Sequence, residues 1–280
     1  MQEYYFLFSL AFVWVTFAVV QDLRSREISN WLNFSLIAFA LAYRLFYSIS
    51  FSNYEFFLYG VGGVFLFIIL GNLLYYSKVF AGGDAKLLMG IGAVLPFSAM
   101  IDYLYFGLGF VFLLFLCGAI YTIFYSFFLV SKTWKAFSKD FSTRIKKNQF
   151  LFLLLACSVI GAFLFFFYYN LSASVGLSFF LLVIFVIFPF IFAYVKSIEA
   201  VCMIKYVDAW RLTEGDWLEK EITAGNRTIV KSVHGLTKEE IEFLRKKSKK
   251  VWIKEGVPFA PAFMIGFLIF VYVWLRYFSF

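Results

Sequence analysis

The stretch FFLYGVGGVFLFIILGNLLYYSKVFAGGDAKLL, residues 56–88, carries no charge from Phe56 to Ser77, then sets Lys78, two glycines and Asp84 ahead of another apolar run. An apolar segment of about twenty residues is what an α-helix needs to cross a bilayer. The same pattern recurs outward in both directions. With 63% hydrophobic, 24% aromatic and only 15% charged residues in a chain of 280, there is too little polar surface to cover a globular core. Eight candidate spans follow: 3–21, 31–49, 56–77, 86–101, 103–130, 149–169, 177–196 and 259–278. The first lacks a basic start and ends in Gln21-Asp22 rather than a small-x-small cleavage site, so it reads as a retained span and not a signal peptide.

Basic residues are retained on the cytoplasmic side of short loops. Arg24 and Arg26 follow span 1, Lys78 follows span 3 with Lys86 just beyond, and Lys132, Lys135, Lys139, Arg144, Lys146 and Lys147 follow span 5. The alternate loops at 50–55, near 102 and at 170–176 hold no Lys or Arg, while Arg44 and Arg276 run against the trend. Eight spans with this bias put both termini outside. The expected fold is an all-α polytopic membrane protein, divided into a membrane domain (1–196), a small α+β cytoplasmic domain (197–258) and a last transmembrane helix (259–280). Within the polar domain, Thr237 and Glu240 have capping-box spacing ahead of a helix to about Lys250. Segments 221–223 and 228–233 flank Ala224-Gly225-Asn226-Arg227 as a hairpin.

Several chemistries are disfavoured. Cys117, Cys157 and Cys202 stand singly as packing residues, and His234, the one histidine, precedes Gly235 as a turn residue, so no zinc site or disulfide framework is expected. There is no P-loop, no G-x-G-x-x-G and no pair of glycines four apart for helix dimerisation. The basic run Lys246–Lys250 suits anionic headgroups or a solvated face better than nucleic acid.

Ionisable groups in apolar surroundings are functional candidates because their burial is expensive. Asp22 ends span 1 and Asp84 opens span 4; 62 positions apart, both fall at the cytoplasmic side by the charge rule. If spans 1 and 4 are neighbours, the two carboxyls meet at one depth. Such a pair shares a proton, the condition for activating water and protonating a leaving amine. Helix polarity suggests Asp84, at a helix N-terminus, as the base and Asp22, at a helix C-terminus, as the acid. The residues alone equally allow Asp22 as a surface charge paired with Arg24 or Arg26, and Asp84 as a helix N-cap. Asp102 and Glu55, isolated at the outer face, take a structural role.

Three stretches, in order, resemble the GxGD-type aspartic membrane peptidases, specifically the archaeal preflagellin and type IV prepilin peptidases: Asp22-Leu23-Arg24-Ser25-Arg26-Glu27-Ile28-Ser29-Asn30-Trp31, Gly82-Gly83-Asp84-Ala85-Lys86-Leu87-Leu88, and the proline-containing Gly256–Gly266. The resemblance implies an aspartic endopeptidase, with Asp22 and Asp84 catalytic, that removes the basic leader of prepilin-like or prearchaellin precursors at the cytoplasmic face of the cell membrane. No cofactor or metal is implied; the partners are those precursors and the lipid bilayer, with no nucleic acid. Gly82 and Gly83 would admit substrate or a moving loop, though they also suit a simple turn. Glu27 is placed to pair with leader lysines or in a surface salt bridge, Lys86 to hold a charge or meet headgroups, and Pro258 and Pro261 to start the last helix.

The chain departs from the family pattern in three ways. Ala81 replaces the motif's first glycine. Eight spans stand against about six, the surplus being a hairpin within 103–196. The paired C-x-x-C motifs of bacterial bifunctional relatives are absent, so no N-methyltransferase activity is expected. A proton-coupled transporter using the two aspartates is the alternative from another class, but such carriers lie near the midplane of repeated halves. A presenilin-type protease is disfavoured because its proline-containing motif is unmatched.

Overall fold

The structure, a computed structural model, describes residues 2–150, 153–155, 157–158, 160–161, 187–224, 227–232, 235–247 and 250–278. The chain divides into two compact units, Met1–Phe124 with Val257–Phe280, and Tyr125–Gly256.

The first unit opens with three helices, α1 (Gln2–Ser25), α2 (Asn30–Ser50) and α3 (Tyr54–Tyr76). In α1, Tyr4, Leu7, Phe8, Ala11, Val15, Ala18 and Asp22 are buried, three or four positions apart, while Phe6, Phe12, Val13 and Phe17 face outward. That is a single inward stripe at the helical period, and Asp22 is its last member. The stripe of α2 contains Leu32, Asn33, Leu36, Ala40, Arg44 and Ser48. In α3 it contains Phe56, Gly60, Gly63, Val64, Phe67 and Gly71.

The fourth predicted span, 86–101, is corrected by the structure. Helix α4 covers only Gly82–Gly92, about 16 Å at the α-helical rise and half of a hydrocarbon core. It stops because Gly90 and Gly92 weaken it and Pro96 cannot continue it. Its end tightens through Ala93 N–H to Gly90 O (3.2 Å) and Val94 N–H to Ile91 O (2.9 Å). Residues 93–97 continue as irregular, fully buried backbone, which apolar surroundings tolerate only when its polar groups are satisfied by protein. Arg44 does this: Nε donates to Ala93 O (2.9 Å), Nη2 to Leu95 O (2.7 Å) and Nη1 to Phe56 O (2.8 Å). Its guanidinium carbon also lies 4.6 Å from the Phe56 ring centre. The Tyr4 hydroxyl donates to Phe97 O at 3.0 Å. Arg44 is thus no loop charge, which explains its departure from the orientation rule.

Since Tyr4 and Tyr59 lie near the starts of α1 and α3, and Tyr103 donates to Tyr59 O at 2.9 Å, segment 82–102 traverses the unit, half as helix and half as irregular chain. Asp102 then accepts from Ser98 N, Ser98 Oγ and Ala99 N, each at 2.8 Å, a structural role. A π-helical turn (Tyr103–Leu108) leads into α5 (Gly109–Lys132), and the C-terminal helix spans Ala260–Tyr277.

Among the described residues, five helices are long and apolar enough to cross a membrane: Glu3–Ser25, Asn30–Ser50, Tyr54–Tyr76, Tyr103–Lys132 and Ala260–Tyr277. The protein is therefore a multi-pass membrane protein, mostly helical. The predicted spans 149–169 and 177–196 lie largely outside the described residues, as does His234.

Close approach of α3 and α4 depends on glycine. A Cβ on Gly63 would sit 2.4 Å from Gly92 O and 2.6 Å from Phe97 Cε2, and one on Gly92 2.7 Å from Gly63 O. These contacts lie within one chain and use no four-residue glycine spacing. Gly63→Ala is expected to lower stability by about 1–3 kcal/mol through overpacking, read from thermal unfolding in detergent; an unchanged melting temperature would contradict the crossing.

In the second unit, α6 (Trp134–Lys147) buries Phe137 with Val130, Ile198 and Cys202 and turns its lysines outward. Cys117 and Cys202 are buried as packing residues, whereas Cys157 is exposed. A three-stranded antiparallel sheet has the order β1 (Ile204–Asp208), β5 (Lys250–Lys254), β2 (Trp217–Leu218). The hairpin β3 (Ile222–Ala224) with β4 (Arg227–Ile229) occurs where expected; its turn residues 225 and 226 are outside the described set. The domain helix starts at the expected capping box, with Thr237 N–H donating to Glu240 Oε2 at 2.9 Å. It ends at Lys246 and not near Lys250, because Lys250-Val251-Trp252-Ile253-Lys254 alternates, burying Val251 and Ile253 as a strand must.

Candidate active site

The three stretches that carry the resemblance meet in the first unit. The α1 stripe aims Asp22 inward, where its Oδ2 accepts from Ala260 N–H at 2.8 Å, and the Phe259 N–H also acts on it. Asp22 thus closes the N-terminus of the C-terminal helix, whose Pro261 occupies the first turn, a position that needs no N–H donor. The same helix start is held by Phe80, which packs its ring 5.3 Å from Phe259 and 5.8 Å from Phe263. A side chain at Gly118 would strike Phe259, at 2.5 Å.

Asp84 is the third residue of α4, not its N-cap, which is Ala81. Its carboxylate reaches back to the Ala81 N–H, and the negative charge of Asp22 acts directly on it. The two aspartates, 62 positions apart in sequence, thus lie within the first unit close enough for the charge of Asp22 to act on Asp84. Each carboxylate is at the positive end of a helix, Asp84 on α4 and Asp22 on the C-terminal helix. The helix-end argument for Asp84 as base and Asp22 as acid loses its asymmetry, because Asp22 ends α1 but its carboxylate also faces another helix's N-terminus.

The remaining sequence-selected residues are distributed unevenly. Gly83 is a point of close approach: a Cβ there would lie 3.2 Å from Ile28 Cβ and 3.4 Å from Ile28 N. Gly82 has room, with nothing nearer than Tyr75 at 3.6 Å. Lys86 Nζ donates to Asn30 Oδ1 at 2.7 Å, which ties α4 to α2. Glu27 is exposed on the α1–α2 connection. That connection turns through Arg26, whose φ of 61° is left-handed, and is latched by Gln21 Oε1, which accepts from Ser29 N–H (2.9 Å) and Ser29 Oγ (2.8 Å).

Sequence reasoning missed Gln21, Asn30, Asn33 and the Ala260 N–H. The signal for the amides was present as polar residues opening an apolar helix at positions 30 and 33, one turn apart; that for Ala260, a backbone group, was not. Among the described residues no group of three or more His, Cys, Asp or Glu is arranged to hold a metal ion. What remains is a pair of carboxylates in which the charge of Asp22 acts on Asp84, an arrangement that can hold one proton between them.

Part of the chain matches known proteins in sequence. Residues 9–123 match the model of the type IV leader peptidase family. The chain is 35% identical over 79 residues to the preflagellin peptidase of Methanococcus maripaludis, covering 28% of this chain and 34% of that protein. It is 31% identical over 97 residues to the preflagellin peptidase of Methanocaldococcus jannaschii, covering 31% of this chain and 41% of that protein. The Methanococcus voltae preflagellin peptidase is 27% identical over 96 residues, 34% of this chain and 41% of that protein. The matched segments thus span less than half of these relatives' own length. No solved structure gives a significant match. The segment that matches the type IV leader peptidase family, residues 9–123, holds both Asp22 and Asp84.

Proposed function

We propose that this chain is a membrane aspartic endopeptidase that removes the basic leader from prepilin-like or prearchaellin precursors. The observation that carries the reading is the action of Asp22 on Asp84 across 62 positions, inside the segment related to leader peptidases. One carboxylate takes a proton from water as the water oxygen adds to the scissile carbonyl. The other gives its proton to the departing amine as the C–N bond breaks, and the pair returns to its singly protonated state. The substrate helix enters from the bilayer with its leader at the cytoplasmic face, the side for which the Lys and Arg bias of the loops argues; both chain termini are then on the opposite, outer side. Glu27, exposed beside Asp22 in sequence, is available to leader lysines, and residues 197–258 form the cytoplasmic domain.

The test is co-expression with a prepilin-like substrate, read by mass. Wild type is expected to release a mature product shortened by the leader; an intact substrate in the presence of folded protein would overturn the reading. The product is further expected to carry a free, unmethylated N-terminus, since nothing in the chain supplies a C-x-x-C pair. A methylated product made by this protein alone would refute that part.

A further inference from the structure

We propose that Asn33 is a positioning residue that sets the orientation of Asp84, an inference that rests on the peptidase reading above. Asn33 is fully buried on the inward stripe of α2. Its Nδ2 donates to the Gly83 carbonyl at 3.2 Å. That carbonyl belongs to the peptide unit joining Gly83 to Asp84, and because the unit is planar, fixing its oxygen fixes the Asp84 Cα and the direction in which the carboxylate leaves the backbone. The carbonyl's other lone pair serves α4 itself. Ile28 also closes on Gly83 at the position a Cβ would take. The peptide is thus clamped between α2 and the α1–α2 connection.

The other end of the same side chain carries a cost in stability. Asn33 Oδ1 is buried and has no hydrogen-bond partner among the described residues, an arrangement that destabilises the fold relative to an apolar side chain of the same shape. A leucine would pack there without that penalty. What leucine lacks is the donor to Gly83.

The experiment uses the purified full-length chain with a prepilin-like substrate. Asn33→Leu is expected to unfold at the same temperature as wild type or higher, with turnover about 10²-fold lower and KM unchanged. Asn33→Asp is nearly isosteric, and its carboxyl can donate to Gly83 only when protonated. The ratio of its turnover to that of wild type is therefore expected to rise as pH falls. Asn33→Leu losing activity only in proportion to its folded fraction would overturn the proposal, as would a pH-independent ratio for Asn33→Asp, which decides the matter should the leucine variant not fold. If wild type leaves substrate intact, the peptidase reading fails separately. The carboxyl infrared band assigned by Asp84→Asn then decides: a shift of that band in Asn33→Asp supports the clamp, and an unmoved band refutes it.

Discussion

Asp84→Asn and Asp22→Asn are each expected to slow leader cleavage by about 10³-fold or more while leaving the protein folded. Asparagine is the informative replacement because its amide oxygen still accepts the Ala260 N–H that Asp22 holds at 2.8 Å. It keeps the start of the C-terminal helix satisfied and removes only the ionisable group. At Asp84 the same exchange keeps an acceptor for the Ala81 N–H. The two aspartates act as one proton-sharing unit, so the double variant is expected to be no slower than the worse single variant. Substrate mass shift measures the rate, and circular dichroism in detergent reports the fold. Cleavage at wild-type rate by either folded single variant would sink the two-carboxylate mechanism. Losses that multiply in the double variant would show that the groups act separately.

Arg44→Met is expected to cost roughly 4 kcal/mol or more of stability, the largest effect of any substitution away from the carboxylates. The side chain is fully buried, and its guanidinium bonds three backbone carbonyls on two segments, Phe56 of α3 and Ala93 and Leu95 beyond α4. Methionine fills similar volume but removes three hydrogen bonds from a charged donor, each worth about 1.5–3 kcal/mol, and leaves Leu95 O with only the Phe97 N–H (2.9 Å) among the described residues. Arg44→Lys is expected to recover less than half of the loss, because an ammonium is a point donor and cannot reproduce a planar fork aimed at three separated oxygens. Gly60→Ala tests the same pocket from α3, since its Cβ would sit 2.3 Å from Arg44 Cδ. Thermal unfolding in detergent measures all three; wild-type stability in Arg44→Met would show that the broken segment needs no such support.

The Arg44 cluster also marks where reading the chain reached its limit. Hydropathy treats 86–101 as one apolar span, because Ala93-Val94-Leu95-Pro96-Phe97 is as apolar as helix. Whether such residues are helical is decided by where their carbonyls find donors. Here the donor is on α2, some fifty positions earlier. A lone arginine in an apolar helix was the visible trace of that arrangement, but a count of loop charges sees it only as an exception. The strand at Lys250–Lys254 is a similar case: the basic residues beside it suggested a longer helix, while its two-residue alternation of Val251 and Ile253 was the stronger signal.

By itself the sequence determined the membrane class and the capping box at Thr237, and it marked Asp22 and Asp84 as ionisable groups at the ends of apolar runs. Each depends on composition or on spacing along one element, which hydrophobic burial and helical periodicity translate directly into geometry. Only the tertiary structure decided that α4 ends at Gly92, that Asp22 faces the N-terminus of the C-terminal helix, and that Asn33 holds the peptide before Asp84. Those facts join residues 238, 50 and 49 positions apart. They arise from backbone donors and acceptors, which every residue carries alike and which no pattern of side chains along the chain reveals.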